Sequence, residues 1–468
     1  MSGRVVVVGA GITGLSAAYR LAKGDGALEV VVLEADPTPG GKVRSAEVAG
    51  LTLEAGPDSL LARKPWAVDL CRELGLGEDL VPSAAVATHI WTRRGLLRFP
   101  SGPFGISTSP MELWRWKGMS YAGKVRAAGD LVLPRGDVDG DESLGSLLRR
   151  RIGDEATEAL VAPLLGGLFA GDVDLLSVGA TFPELAMWER EHRSLMRGAR
   201  AMSAARRPAA VGGTGGGSRA AGPRKPPPMF VRLRGGLRRL TDGLAVALGD
   251  RVHTGVAVTG LRAEGDGYVL ATPQGDLEAD AVLLTSPAFV TADLVEPLSP
   301  AAAPVLRGIE YVSTAVALLV YPEGTNPALP DSSGFVAPRG RLPMNAATVI
   351  SKKWPDEAFG SRAVLRCFIG GTGTQDHLDG TDDEIVADVA RALAGLLPLP
   401  PAPEAATLVR SPRAMPQYAV GHLDRVTAIE AAMPTGLEVA GQAYRGAGLP
   451  DCVRQGTEAA ERVRARLG

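Results

Sequence analysis

Aromatic side chains make up only 5% of this 468-residue sequence, and cysteine and histidine number three and five. Cys71, Cys367 and Cys452 are odd in number and far apart, which excludes a disulfide framework and fits a reducing compartment. They form no CxxC, and no HxH spacing occurs, so no metal site is expected. Neither sign of charge prevails: 50 basic residues face 52 acidic ones, a net charge of −2, and nothing global points to nucleic acid. Long apolar runs are also missing. No window reaches the roughly 18 apolar residues of a spanning helix, and runs such as Ala315 to Tyr321 stop at Pro322 within strand length. No transmembrane segment is expected. The N-terminus enters an apolar run almost at once, with no room for a signal peptide, so the expected location is cytoplasmic. No Ser/His/Asp or paired-carboxylate constellation stands out.

What is abundant is glycine, with 59 residues, and its placement near the N-terminus is informative. Val5 to Val8 suit a strand buried on both faces of a parallel sheet. Gly9-Ala10-Gly11-Ile12-Thr13-Gly14 follows. The first glycine permits a tight turn, the second lets backbone approach a pyrophosphate, and the third lets the next helix pack on its strand. Thr13 to Lys23 is expected to be that helix, its positive end toward the phosphates. Val30 to Leu33 reads as the second strand, and Glu34 falls about 20 residues after the last glycine, where a carboxylate accepts ribose hydroxyls. Strand, glycines, helix, strand and acid in this order predict a dinucleotide, with an acid that disfavours a 2′-phosphate.

Residues from about 60 to 200 read as mainly helical, including Trp66 to Leu74 and Leu144 to Ile152. Within them, Phe104 to Val132 alternates Trp114 and Trp116 with Arg115 and Lys117. This segment leaves two readings open: peripheral contact with a membrane surface, or an amphipathic helix covering a substrate cavity. Ala201 to Pro228, rich in glycine and proline, reads as a flexible surface loop, with a lid as the alternative. Strands are expected at Val252 to Val258, Tyr268 to Thr272 and Ala281 to Thr285. A second, mixed or antiparallel sheet is expected between Tyr311 and Phe368, followed by a capped helix from Thr381 to Leu397. The chain closes on a strand at Leu437 to Ala440, the glycine-rich loop Gly441 to Pro450 and a helix from Asp451. Strand, glycine loop and helix thus occur at both termini, which implies one nucleotide-binding domain built from the two ends.

These segments carry a resemblance. Val8 to Ala18, Leu33-Glu34-Ala35, Gly40-Gly41-Lys42, Gly56-Pro57-Asp58-Ser59 and Ala62-Arg63-Lys64-Pro65-Trp66 look like the FAD-dependent amine oxidase and protoporphyrinogen oxidase superfamily. Arg234-Gly-Gly-Leu, Ala414-Met-Pro-Gln-Tyr418 with Gly421-His422, and Tyr444 to Cys452 look more narrowly like its bacterial porphyrinogen oxidases. The resemblance implies an α/β fold. A discontinuous Rossmann-like FAD domain (1–48, 229–290, 410–468) would accompany a mixed-sheet substrate domain (49–103, 291–409), a helical domain (104–200) and the loop 201–228. It implies noncovalent FAD, since no cysteine occurs between Cys367 and Cys452 where some amine oxidases attach their flavin. Gly9 to Gly14 would hold the pyrophosphate, Glu34 with Ala35 the adenosine ribose, and Gly41-Lys42 the flavin-side phosphate or ring. Gly56 to Ser59 would lie beneath the flavin, and Val256 would meet adenine through its backbone. Gly441, Gly448, Leu449 and Pro450 would abut the flavin end.

By the same resemblance the activity would be six-electron oxidation of coproporphyrinogen III to coproporphyrin III in heme biosynthesis, with oxygen as acceptor and three hydrogen peroxide released. Protoporphyrinogen IX is the alternative substrate, an amine oxidase a further one, and a flavin-holding delivery protein a third. The cofactor carries the chemistry, so no catalytic side chain is assigned. Substrate carboxylates require cations, for which Arg63, Lys64, Arg94 and Arg98 are candidates. An amine would call for an aromatic cage, against which the scarcity of aromatics counts. A transient contact with a ferrochelatase is the further partner expected.

Overall fold

Val5, Val6, Val7 and Val8 are each no more than 6% exposed, so their strand is covered on both faces. In the computed structural model, which describes residues 3–24, 28–84, 86–136, 140–205 and 228–468, this strand is Gly3–Val8. It lies at the centre of five strands, between Leu28–Glu34 and Ala281–Leu284, with Val252–Thr254 and Leu437–Val439 at the edges. Every pairing in this sheet is parallel, as continuous apolar runs require. Val5 and Val7 pack against the helices Ile12–Ala22, Arg238–Leu248 and Leu449–Leu467. Val6 and Val8 face the helices Ala288–Val295, Ala302–Arg307 and His422–Ala432, with a three-stranded antiparallel sheet spanning Gly260 to Ala279 beside them. Both ends of the chain therefore contribute to one layered unit.

A second sheet has seven strands, in the order Ala405–Pro416, Tyr311–Val320, Val364–Gly370, Ala346–Val349, Ser332–Val336, Ala87–Thr92 and Gly95–Arg98. It is mixed, because Ser332–Val336 pairs in parallel with Ala87–Thr92 while its other pairings are antiparallel. The helix Asp382–Ala394 covers one face; Thr381 and Glu384 close a reciprocal capping box at its start. The hairpin Ser45–Val48 and Leu51–Glu54 covers the other face and leads directly into Gly56 to Ser59. A helical layer between Pro110 and Ala205 buries Leu144, Leu147, Leu148 and Trp188.

Several expectations need correction. Residues 80 to 98 are strands rather than helix: Leu80–Pro82 pairs with Phe230–Leu233, and Ala87–Thr92 and Gly95–Arg98 extend the seven-stranded sheet. The partners Phe230–Leu233 and Ser332–Val336 are remote in sequence, and the local hairpin of Ala87–Thr92 with Gly95–Arg98 lacks a regular apolar alternation, so local pattern did not identify them. The strand expected through Val258 ends at Thr254, where Gly255 turns the backbone at φ +70°. The expected boundary at residue 410 falls inside the strand Ala405–Pro416. Of the glycine-rich segment 201–228, residues up to Ala205 complete the helix Leu195–Ala205, and 206–227 lie outside the described residues.

The segment from Phe104 to Val132 forms short helices, chiefly Pro110–Arg115 and Tyr121–Ala128. Leu113 and Trp116 are buried, whereas Met111, Trp114, Tyr121, Val125 and Val132 are exposed. It is thus not one continuous amphipathic helix, and it exposes several large apolar side chains, of which Trp114 and Tyr121 are in contact at 5.6 Å between ring centroids.

Candidate functional site: a dinucleotide cradle closed by the C-terminal loop

The cradle begins where the first strand stops. Gly9 has φ +105°, and its N–H donates to the Leu33 carbonyl at 2.8 Å, turning the chain across the end of the second strand. A Cβ on Gly14 would lie 1.9 Å from the Gly9 carbonyl oxygen, so the helix seats directly on the turn. A Cβ on Gly11 would meet nothing within 4 Å. That contrast separates the two glycines: Gly14 is needed for packing, while Gly11 faces open space beside the first helical turn, where the N–H groups of Ile12, Thr13 and their neighbours are oriented for an anion. Ile12 and Thr13 are themselves buried. The second loop closes on this one, the Gly40 N–H donating to the Ala10 carbonyl at 2.8 Å. Gly41 lies so close to Gly11 that its Cβ would be 3.2 Å from the Gly11 Cα.

Glu34 ends the second strand with its carboxylate against the glycine turn. One oxygen accepts the Ala10 N–H at 2.6 Å and the other the Asp36 N–H at 2.9 Å. A carboxylate has about four acceptor sites, so capacity for ribose hydroxyls is left on both oxygens. Ala35 is exposed at the rim. Val256 donates its N–H to the Glu34 carbonyl at 2.8 Å, which leaves its own carbonyl as its backbone group for a base.

At the other end two remote chain segments converge on Lys42. Its ammonium donates to the Ala414 carbonyl and to Gln442 Oε1, and burial pushes its pKa down to about 8. Gln442 follows Gly441, whose φ is +133°. The closing loop is organised by Gln455 of the C-terminal helix: Oε1 accepts the Arg445 N–H at 3.1 Å, and Nε2 donates to the Gly446 carbonyl at 3.0 Å. Gly448 is the N-cap of that helix, with Leu449 and Pro450 in its first turn. Proline lacks an N–H, and position N2 tolerates the loss. The helix in turn packs on the first helix at Gly456, where a Cβ would lie 2.4 Å from the Thr13 carbonyl.

Between these ends, Gly56 is wedged against the Lys42 carbonyl, which a Cβ would approach to 2.0 Å. Its own carbonyl accepts from the buried Arg366. Pro57 leads to Asp58, which accepts Ser59 Oγ at 2.7 Å and Lys353 Nζ at 2.9 Å. Burial opposes the charge of Asp58, but Lys353 and Arg366 outweigh it and hold the carboxyl well below its ordinary range. Arg366 and Lys353 were not singled out from sequence. The signal was a lone arginine within the apolar run Val364 to Ile369, which demands a buried partner.

The proposed carboxylate-binding cations differ in availability. Lys64 donates to both oxygens of Asp451, Arg63 pairs with Glu184 at 3.0 Å, and Arg94 donates to the Lys117 carbonyl at 3.0 Å. Arg98 is exposed, and its side chain has no hydrogen-bond partner among the described residues. No cluster of metal ligands occurs among the described residues.

An open helix end suited to an anion, a carboxylate with spare acceptor capacity and a second helix end capped by the glycine-rich closing loop fit a flavin dinucleotide. A family model for flavin-containing amine oxidoreductases matches residues 12–464. The chain belongs to this family. Its cofactor is FAD, as the resemblance implied. It is 35% identical over 466 residues to the coproporphyrinogen III oxidase of Bacillus subtilis (strain 168), covering 97% of this chain and 96% of that protein. It is 30% identical to the chloroplastic protoporphyrinogen oxidase of Oryza sativa subsp. japonica, with coverage of 99% and 88%. A crystal structure from Exiguobacterium sp. 255-15, provisionally named a protoporphyrinogen oxidase, superimposes with TM-score 0.86 at 31% identity, covering 100% of this chain and 99% of that one. Wild-type putrescine oxidase superimposes with TM-score 0.70 at 17% identity, a likeness of fold alone. The expected combination of a Rossmann-like unit, a mixed sheet and a helical layer is the fold found.

Proposed function

We propose that this flavoprotein oxidises coproporphyrinogen III to coproporphyrin III. The observation that carries the reading is the near-complete coverage, at 35% identity, shared with a coproporphyrinogen III oxidase. The reaction removes six electrons and six protons in three two-electron passes, and three oxygen molecules are reduced to three hydrogen peroxide. Bound FAD, held noncovalently, supplies the two-electron acceptor between substrate and oxygen. The protein's own part is to hold, orient and exclude water. Gly9 to Gly14 and Glu34 fix the nucleotide end. Lys42, Gly56 to Ser59 and the loop from Gly441 to Pro450 fix the reactive end.

Coproporphyrinogen III carries four propionates, and Arg98 offers a cation with no partner among the described residues. No helix among the described residues is long and apolar enough to cross a membrane. The exposed side chains of Met111, Trp114 and Tyr121, beside Arg115 and Lys117, support peripheral contact of a cytoplasmic enzyme with a bilayer surface. The rice relative keeps protoporphyrinogen IX as a second reading. Anaerobic titration of the purified flavoprotein with the two porphyrinogens tests the assignment. Coproporphyrinogen III is expected to bleach the flavin absorbance at least tenfold faster, with peroxide appearing when oxygen is admitted. The opposite preference would overturn the substrate, and failure with both would overturn the reaction.

A further inference from the structure

Tyr418 is completely buried and connects three parts of the molecule. Its hydroxyl donates to the Gln442 carbonyl at 2.6 Å and accepts the Gly446 N–H at 3.1 Å, so one side-chain oxygen spans the turn of the closing loop. Its ring stacks on His422, with centroids 3.9 Å apart and planes 12° from parallel. His422 is also fully buried, and its Nε2 lies 2.9 Å from the Tyr444 carbonyl within the same turn. The Tyr418 ring also meets Phe169 of the helical layer, with centroids 5.5 Å apart, and the Tyr418 carbonyl accepts the Ser177 N–H at 2.7 Å.

Four residues upstream, the Ala414 carbonyl accepts from Lys42, and Lys42 also donates to Gln442. Lys42, the strand end at Ala414, Tyr418 and Gln442 thereby form a closed circuit. Gln442 is held by its side chain from Lys42 and by its carbonyl from Tyr418. Burial raises the phenol's pKa well above its ordinary value, so the hydroxyl keeps the proton it donates.

We propose that Tyr418 is a positioning residue for the proposed oxidation, setting the Gln442 to Gly446 turn from which the C-terminal helix is directed at the flavin. It acts through the turn and touches no reacting atom. The helical layer, through Phe169 and Ser177, holds the tyrosine in place, so the flavin-side loop is registered against that layer. This rests on the reading that the Gly441 to Pro450 loop abuts the isoalloxazine.

The test is Tyr418→Phe in the FAD-loaded full chain, because phenylalanine keeps the stacking on His422 and Phe169 and deletes only the hydroxyl. Amide exchange of residues 442–447, with and without FAD, is expected to accelerate at least tenfold while 169–177 change little. The near-ultraviolet flavin band and the midpoint potential measured by dye-equilibrated titration are expected to shift, and kcat to fall at least fivefold with KM within twofold. A variant with a lower Tm but unchanged loop exchange, flavin band, potential and kcat would overturn the proposal. Should Tyr418→Phe fail to fold, 3-fluorotyrosine placed at 418 alone retains the hydroxyl with altered hydrogen-bond strength, and the same shifts in flavin band and potential are required of it. If wild-type flavin is not reduced by coproporphyrinogen III, the substrate reading falls, while exchange, band and potential still decide the role of Tyr418.

Discussion

The Lys64 ammonium reaches both carboxylate oxygens of Asp451, at 2.7 and 2.6 Å, and so ties the turn after Leu61 to the first turn of the C-terminal helix. The Asp451 side chain is 12% exposed, against 34% for Lys64, so the acid is the partner that depends on the pair.

Lys64→Met should leave Asp451 with a largely desolvated, unpaired charge and destabilise the protein by about 1–3 kcal/mol. Asp451→Asn should cost less. In a double-mutant cycle the coupling is expected at about 1–2 kcal/mol, read from urea unfolding. Additive single effects would show that the pair contributes nothing. A contribution of Lys64 to substrate propionates would appear separately, as a KM rise in Lys64→Met that is absent from Asp451→Asn.

Gly11 and Gly14 should fail in different ways when replaced by alanine. The Gly11 Cβ meets no protein atom within 4 Å, so Gly11→Ala is expected to fold with the apoprotein Tm within about 2 °C of wild type, yet to lose FAD affinity by at least tenfold. The Gly14 Cβ would lie 1.9 Å from the Gly9 carbonyl, and Gly14→Ala must displace the helix from the turn. Its apoprotein is expected to unfold several degrees lower. Thermal scans of both apoproteins and FAD titration by fluorescence check the contrast; a Gly11→Ala protein that binds FAD normally would remove Gly11 from the phosphate site.

The same two glycines show what was legible in the sequence. The cradle for the nucleotide end is local: strand, turn, helix, strand and acid follow one another within Arg4 to Glu34, and each residue type has a backbone reason to be where it is. The flavin-side end is assembled from far apart. Lys64 finds Asp451 across 387 residues, and Lys353 finds Asp58 across 295. No local pattern encodes such pairs, and the aspartate that pairs with Lys64, a lysine expected to meet substrate, was not foreseen. The strands from Leu80 to Arg98 escaped because their apolar content is modest and irregular, and because Leu80–Pro82 and Ala87–Thr92 also pair with strands that come much later in the chain. Tyr418 and His422 were visible as part of a family motif, but only the fold shows the hydroxyl bridging the closing turn.

Glu54 offers a pH test of the junction beneath the flavin loop. Its Oε1 accepts the Leu237 N–H, tying the hairpin to the Arg234-Gly-Gly turn, while Oε2 is buried with no partner among the described residues. Burial raises its pKa from 4.5 to about 7, outweighing the Leu237 N–H and Arg366, which pull the other way. Between those values the folded protein retains a proton that the unfolded chain has released, so stability falls as pH rises from about 4.5 through about 7. The full effect above that window, at about 1.4 kcal/mol per unit, is ~3 kcal/mol. Glu54→Gln keeps the shape and removes the titration. The variant is expected to match wild type near pH 5 and to exceed it by about 2–3 kcal/mol at pH 8, measured as urea unfolding of the holoprotein. A difference that does not grow between pH 5 and pH 8 would mean that Glu54 is ionised at no cost, and that Arg366 satisfies it more completely than their separation from direct contact implies.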